Sequence, residues 1–245
     1  GAFDYIVKGD DNRKIIPIVS RAMDAIAAEQ KQQSKKKDVR VNTVTFGNIV
    51  GKSPALAHVI SQANKVAATD VAVLINGETG TGKELFAQAI HNASHRSAGA
   101  FLALNCSAFS RELLESELFG YKEGAFTGAV KDKRGLLEEA NHGTVFLDEI
   151  REMALELQSK LLRVLETGEF VKVGDTKTTR VDVRIISATN RNLKEEIANG
   201  RFREDLYFRL SVFRIELPPL RQRREDILLL AQHFAERFSK QIGCP

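Results

Sequence analysis

The sequence predicts an α/β fold, a parallel sheet with helices on both faces. Two observations predict it. Apolar runs near residues 71–75, 101–104, 144–147 and 185–188 alternate with segments whose apolar residues recur at helical spacing, the order of strands joined by crossover helices. One run, Val71-Ala72-Val73-Leu74-Ile75, leads through Gly77-Glu78-Thr79-Gly80-Thr81-Gly82-Lys83-Glu84 into an amphipathic stretch reaching Ile90. Strand, glycine loop and helix in that order are the setting of a phosphate-binding loop.

Residues 1–30 differ from the rest. Residues 2–8 read as a short strand and Asp10-Asp11-Asn12 as a helix start. Ile15, Ile16, Ile18, Val19, Met23 and Ile26 form one apolar face, with Pro17 in a first turn or at a kink. One strand and one helix cannot bury a core alone. Residues 31–43 are polar and basic, a linker or frayed helix end, and a solvated tether rather than a nucleic-acid contact.

The main domain covers 44–245. Ser53 caps a helix with Pro54 in its first turn. A short helix is expected over about 110–118, followed by a glycine-rich excursion over 120–135. Leucines at 155, 157, 161, 162 and 165 pattern a helix over 154–166 that Gly168 closes. Residues 170–173 and 178–183 flank Gly174-Asp175 as a hairpin. Residues 201–209 read as one helix carrying arginines, and residues 225–240 as the last helix.

A chain of 245 residues suffices for one α/β domain plus something small. No apolar run approaches the ~20 residues that span a bilayer. The chain has no signal peptide and no initiating Met, as a fragment or trimmed chain would. Two distant cysteines suggest no disulfide framework and fit a reducing cytoplasm. A net charge of +4 permits contact with an anion without singling out nucleic acid.

Ligands of open α/β sheets sit at the carboxyl ends of strands. In the glycine loop the backbone can aim successive N–H groups at an anion, and Lys83 adds a mobile point charge. The strict motif has Ser or Thr after its lysine as a magnesium ligand; Glu84 stands there instead, to meet the ion's water shell or face solvent. Asp148 at a strand end can hold magnesium, and Glu149 can orient an attacking water. Thr189 and Asn190 can hydrogen-bond a phosphate or water without adding charge. Arg203 and Arg209 offer forked donors to a phosphoryl oxygen, or pair with Glu204 and Asp205 on the surface. His91 and His95 are i,i+4 without a third ligand, which reads as packing. Cys106 reads as a small buried group. Arg221, Arg223 and Arg224 read as a solvated turn.

Residues 77–84, the sequence Glu115-Ser116-Glu117-Leu118-Phe119-Gly120, the hexapeptide Gly124-Ala125-Phe126-Thr127-Gly128-Ala129, and the strands ending in Asp148-Glu149 and Thr189-Asn190 occur in one order. In that order and spacing they resemble the AAA+ P-loop ATPase domain of bacterial enhancer-binding proteins, the sigma-54-dependent transcriptional activators. The resemblance implies ATP and Mg2+ as cofactors. Residues 77–84 would bind phosphate, Ile49 and Val50 the adenine, Asp148 the metal; Thr189 and Asn190 would sense the γ-phosphate. Glu149 would activate water, restrained by Asn105. Arg203 and Arg209 would act in the neighbouring subunit. Residues 124–129 would engage sigma-54 RNA polymerase holoenzyme, with one aromatic as anchor among small residues. The family is a dimer when inactive and a hexameric or heptameric ring when active. Its helical lid is incomplete here, and DNA contact would need a C-terminal domain absent from this sequence.

Residues 1–30 resemble the last strand and helix of a receiver domain, with Lys8 at the phosphate-contacting lysine and Gly9 where receivers carry Pro. The phospho-accepting aspartate would lie upstream. Two functions follow: an ATP-hydrolysing activator under receiver control, or a nucleotide-binding, non-hydrolysing dimeric regulatory fragment.

Overall fold

The computed structural model describes residues 44–242. The readings on residues 1–43 and on Cys244 lie outside the described residues.

A single turn of 3-10 helix (Phe46–Asn48) precedes α1 (Pro54–Ala67). The Ser53 hydroxyl accepts the Leu56 N–H at 3.4 Å and Pro54 supplies a helical φ in advance. β1 (Val73–Asn76) feeds the glycine loop and α2 (Lys83–Asn92). β2 (Phe101–Asn105) leads to α3 (Arg111–Phe119), which the Ser110 hydroxyl caps. The glycine-rich excursion is closed at its base by β3 (Gly120–Tyr121) and β4 (Lys133–Arg134). Then come α4 (Leu136–Glu139), β5 (Thr144–Asp148) and α5 (Leu155–Thr167). β6 (Glu169–Val171) and β7 (Thr178–Arg180) form the hairpin. β8 (Arg184–Thr189), α6 (Leu193–Ala198), α7 (Glu204–Leu210), β9 (Phe213–Glu216) and α8 (Glu225–Ile242) complete the described chain.

Five strands form one sheet in the order β2-β5-β8-β1-β9, every neighbouring pair parallel. All five carboxyl ends therefore share one edge. Side-chain alternation divides each strand between two cores. Leu74, Val145, Leu147 and Ile185 pack with α3, α5 and α7; Val73, Ile75, Phe146, Ile186 and Ala188 pack with α1 and α2. Each of these Val, Leu, Ile and Phe side chains so buried contributes roughly 1.5–3 kcal/mol.

The predicted parallel sheet is present, and two details differ from the sequence reading. β9 is a fifth strand that the reading did not include. It lies at the sheet edge and reads Phe213-Arg214-Ile215-Glu216, so charged residues interrupt what would otherwise be an apolar run. Residues 201–209 are not one helix: α7 begins at Glu204, with Arg203 extended at its N-cap (φ −79°, ψ 134°) after a left-handed Gly200. The two arginines therefore do not share a helix face.

Candidate functional site

β1 delivers its chain into the glycine loop at the carboxyl edge. Gly80 (φ +82°) and Gly82 (φ +96°) take left-handed backbone, which side chains resist, and Gly82 starts α2. The Thr81 hydroxyl donates to the Glu78 carbonyl at 2.7 Å, folding the loop on itself. Lys83 is buried, and its Nζ donates to the carbonyls of Gly77 (3.0 Å) and Glu78 (3.4 Å). Glu84 is exposed in the first turn of α2.

Two strands away, β5 ends in Asp148, whose Oδ1 accepts the Glu149 N–H at 3.0 Å. Glu149 is left-handed (φ 49°, ψ 49°), which costs roughly 1–2 kcal/mol for an L-residue and turns its carboxylate back over the sheet edge. That carboxylate lies 3.7 Å from Lys83 Nζ and accepts the Asn190 N–H at 3.4 Å. The Asn190 amide donates to the Thr79 hydroxyl at 3.3 Å. Lys83, Glu84, Asn105, Asp148, Glu149 and Asn190 thus line one cavity of about 620 Å³. Asn105 turns its oxygen to the Ser107 N–H (2.9 Å) and hydroxyl (2.7 Å). Thr189 is buried, its hydroxyl accepting the Arg191 N–H at 3.2 Å.

On the other side of the glycine loop lies a more apolar cavity of about 780 Å³, walled by Ile49, Val50, Ile227 and Phe234. Thr79, Gly80, Gly82 and Leu85 line both cavities, so the loop is their shared wall. Here the solvated-turn reading holds for Arg221, which is exposed, and is corrected for Arg223, which is buried. Arg221 holds Glu78 in a bidentate pair at 2.6 and 2.7 Å and keeps that carboxyl below its usual range. Arg223 is buried; its Nη2 lies 3.5 Å from the Thr81 carbonyl, and its Nε has no hydrogen-bond partner among the described residues. Asp226, which in sequence is only an acid in a first turn, is wholly buried. It accepts the N–H groups of Lys52 (2.7 Å) and Ser53 (2.9 Å) and the Ser53 hydroxyl (2.8 Å). The cluster of arginines at 221, 223 and 224 after Pro218-Pro219-Leu220 was the available signal.

Neither Arg203 nor Arg209 lines the cavity that holds Asp148 and Glu149. Arg203 grips Asp205 at 2.6 and 3.0 Å and the Ser159 hydroxyl at 3.0 Å. Arg209 is half-exposed, 3.9 Å from Glu166, and lines a small cavity with Ala72 and Ile185 at the amino ends of β1 and β8. Residues 124–129 form a tight turn: the Gly124 N–H donates to the Ala129 carbonyl (2.9 Å), and the Ala129 N–H to that of Phe126 (3.0 Å). Ala125 is half-buried, Ala129 buried, and Gly124, Thr127 and Gly128 exposed. Phe126 is 47% exposed and rests edge-on against Tyr121. At the loop's base Gly120 (φ +75°) leaves no room for a Cβ, which would sit 2.5 Å from the Lys133 carbonyl.

His91 is buried and bonded through Nδ1 to Thr144 at 2.9 Å, as packing predicts, while His95 is exposed. Burial pushes the Cys106 thiol up to about 12, so it is no nucleophile. No helix among the described residues is long and apolar enough to cross a membrane.

Against known proteins, the sigma-54 interaction domain family matches residues 49–216. The regulatory protein AtoC of Escherichia coli K12 is 49% identical over 247 residues, 98% of this chain and 52% of AtoC. The DNA-binding transcriptional regulator NtrC of the same strain is 46% identical over 243 residues, 99% of this chain and 51% of NtrC. NtrX from Brucella abortus, solved in complex with ADP and with ATP, superposes with a TM-score of 0.75 at 38% identity, over 99% of this chain and 51% of NtrX. The chain spans about half the length of these relatives. The parallel sheet, the glycine loop at its edge and a family match over most of the described residues agree: the chain belongs to the sigma-54 interaction domain family, on an AAA+ P-loop NTPase fold.

Proposed function

We propose that this chain binds and hydrolyses ATP with Mg2+ and uses the cycle to remodel sigma-54 RNA polymerase holoenzyme. One observation carries the reading: the glycine loop divides an apolar chamber from an acidic one. A nucleotide has that polarity, with its base toward Ile49 and Val50 and its phosphates toward Lys83, Thr189 and Asn190. In the nucleotide's presence Lys83 would exchange its loop carbonyls for phosphate oxygens and release Glu149.

The donor set fits magnesium. That ion keeps several waters and binds through one or two carboxylates plus phosphates, and among the described residues no three His, Cys, Asp or Glu side chains converge. Asp148 would hold it, with Glu84 facing its water shell. It would neutralise charge developing on the phosphates. Glu149, held by the Asn190 N–H, would take the proton of the attacking water. Asn105, in the same cavity, would restrain Glu149 until the partner engages.

Arg209 sits at the opposite sheet edge from its own glycine loop, which supports its action in a neighbour's pocket; Arg203, which does not line its own acidic cavity, would act there with it. The route to residues 124–129 runs from Asn105 along α3 to Gly120. Ion pairs Glu115–Lys160 (2.5 Å) and Glu117–Lys133 (2.6 Å) lash α3 to α5 and β4. Phe126 and Thr127 at the tip would contact sigma-54, in a dimer-to-ring cycle governed by the receiver domain to which residues 1–30 would belong. Phosphate release per subunit should rise with protein concentration; a flat rate would overturn the reading. Light scattering with and without ATP separates a ring from the non-hydrolysing dimer. Thr127→Ala should keep ATPase activity and lose polymerase activation.

A further inference from the structure

Gln158 lies in the first turn of α5 with 0% of its surface exposed. Burying an amide is costly unless it is hydrogen-bonded, and this one is bonded three times. Its Nε2 donates to the carbonyls of Met153 (2.7 Å) and Arg201 (3.0 Å), and its Oε1 accepts the Arg203 N–H at 2.8 Å. The neighbouring inward positions of α5 are Leu157 and Leu161, so an apolar side chain would satisfy the core at Gln158 as well. The amide adds a junction between two backbone segments. One is the 3-10 turn Ile150–Glu152, which begins at Glu149 and closes at Met153. The other is the extended backbone of 201–203 that leads into α7. The next residue, Ser159, accepts from Arg203 Nη1 at 3.0 Å.

We infer that Gln158 is a positioning residue for Arg203, holding that arginine's backbone in register with the turn that follows Glu149. The inference rests on the proposed action of Arg203 in the neighbouring pocket. A hydrogen bond to the backbone rather than to the guanidinium suits such a role, because the side chain must remain free to leave Asp205 for a phosphate.

Three variants of the intact protein test it: Gln158→Leu, Arg203→Ala and Glu149→Gln. Gln158→Leu should keep its affinity for a fluorescent ATP analogue within about twofold. Its ATP turnover should fall about 10²-fold, as misplacement of a reacting group does. Mixed with Glu149→Gln subunits, which lack the acid but keep their arginines, it should regain activity as Arg203→Ala does. Unchanged turnover in Gln158→Leu would overturn the inference. So would Arg203→Ala being rescued by mixing while Gln158→Leu is not, since Gln158 would then serve its own pocket. Full turnover in Arg203→Ala would instead overturn the underlying reading of the arginine. If Gln158→Leu fails to fold, Gln158→Met, which keeps the unbranched shape of the side chain but loses the bonds to Met153, Arg201 and Arg203, is read the same way.

Discussion

Replacing Asp226 by alanine should detach α8 from the apolar chamber behind the glycine loop. Asp226 is the only fully buried residue of this 18-residue helix, and its carboxylate holds three donors on the segment that follows Ile49 and Val50. Hydrogen bonds to a charged group contribute about 1.5–3 kcal/mol each. Removing the carboxylate also leaves the Lys52 and Ser53 N–H groups without it in a buried site, and returns the desolvation cost of the charge. Breaking such a buried network costs about 3–5 kcal/mol net. The rest of α8 is largely solvent-facing, with Leu228 75% and Phe238 53% exposed, so the loss should be local rather than global. At 1.4 kcal/mol per decade, amide-exchange protection in α8 should fall by about two to three and a half decades. Strands β5 and β8 should be unchanged. Asp226→Asn, which keeps an acceptor for both N–H groups but loses the charge, should cost about half as much. Protection in α8 unchanged by Asp226→Ala, or lost equally across the sheet, would refute the latch.

Three further outcomes are expected. Burial alone would raise the Asp226 pKa, but the donors from Lys52 and Ser53 and the nearby Arg223 outweigh it and leave it below its ordinary 3.8. The stabilisation from Asp226 is therefore complete above that value and disappears as pH falls through the folded pKa, which an acid titration of α8 exchange would read. Arg223→Gln should weaken ATP and adenosine binding alike, by about tenfold or about 1.4 kcal/mol, because Arg223 lines the apolar chamber proposed for the base and its guanidinium braces the Thr81 carbonyl of the glycine loop. Arg184→Met should lower the melting temperature by about 2–10 °C without altering ATP affinity. Its guanidinium donates to the Ala67 (3.1 Å) and Val66 (2.9 Å) carbonyls at the end of α1, and Val66 keeps Thr69 as a partner.

The sheet was legible because fully buried strands have no alternative to apolar runs, and because a glycine loop between a strand and a helix admits few other conformations. β9 was not legible: Arg214 and Glu216 interrupt its apolar residues, whereas β2, also an edge strand with one buried residue, keeps an unbroken apolar run. At the site, Lys83, Asp148, Glu149 and Asn190 were found by their places at strand ends, which local sequence encodes. Asp226 and Arg223 were not, since their partners lie 174 and 142 residues away in the chain. A buried carboxylate there looks the same in sequence as a solvated one. Gln158 was hidden for the same reason, with its bonds to residues 201 and 203 formed only by tertiary packing. The left-handed backbone of Glu149 is likewise invisible in sequence, because glutamate is not a residue that announces positive φ.

Topology sets a limit that residue identity alone does not. With every strand parallel, Lys83, Asp148, Glu149 and Asn190 must share one edge of the sheet, and residues that enter the strands must share the other. Arg209 lies beside Ala72 and Ile185, at the entering edge. Four residues of extended chain from Ile185 to Thr189 span about 13 Å, with the packed sheet between. An arginine anchored there cannot serve the pocket of its own chain without unfolding the layer it lies on. Its proposed contact with phosphate therefore requires a second copy that presents its entering edge to the first copy's carboxyl edge. Such a contact is head-to-tail, and head-to-tail contacts close into rings when the rotation allows. The dependence of turnover on protein concentration expected under the proposed function would thus follow from where β1 and β8 begin and end.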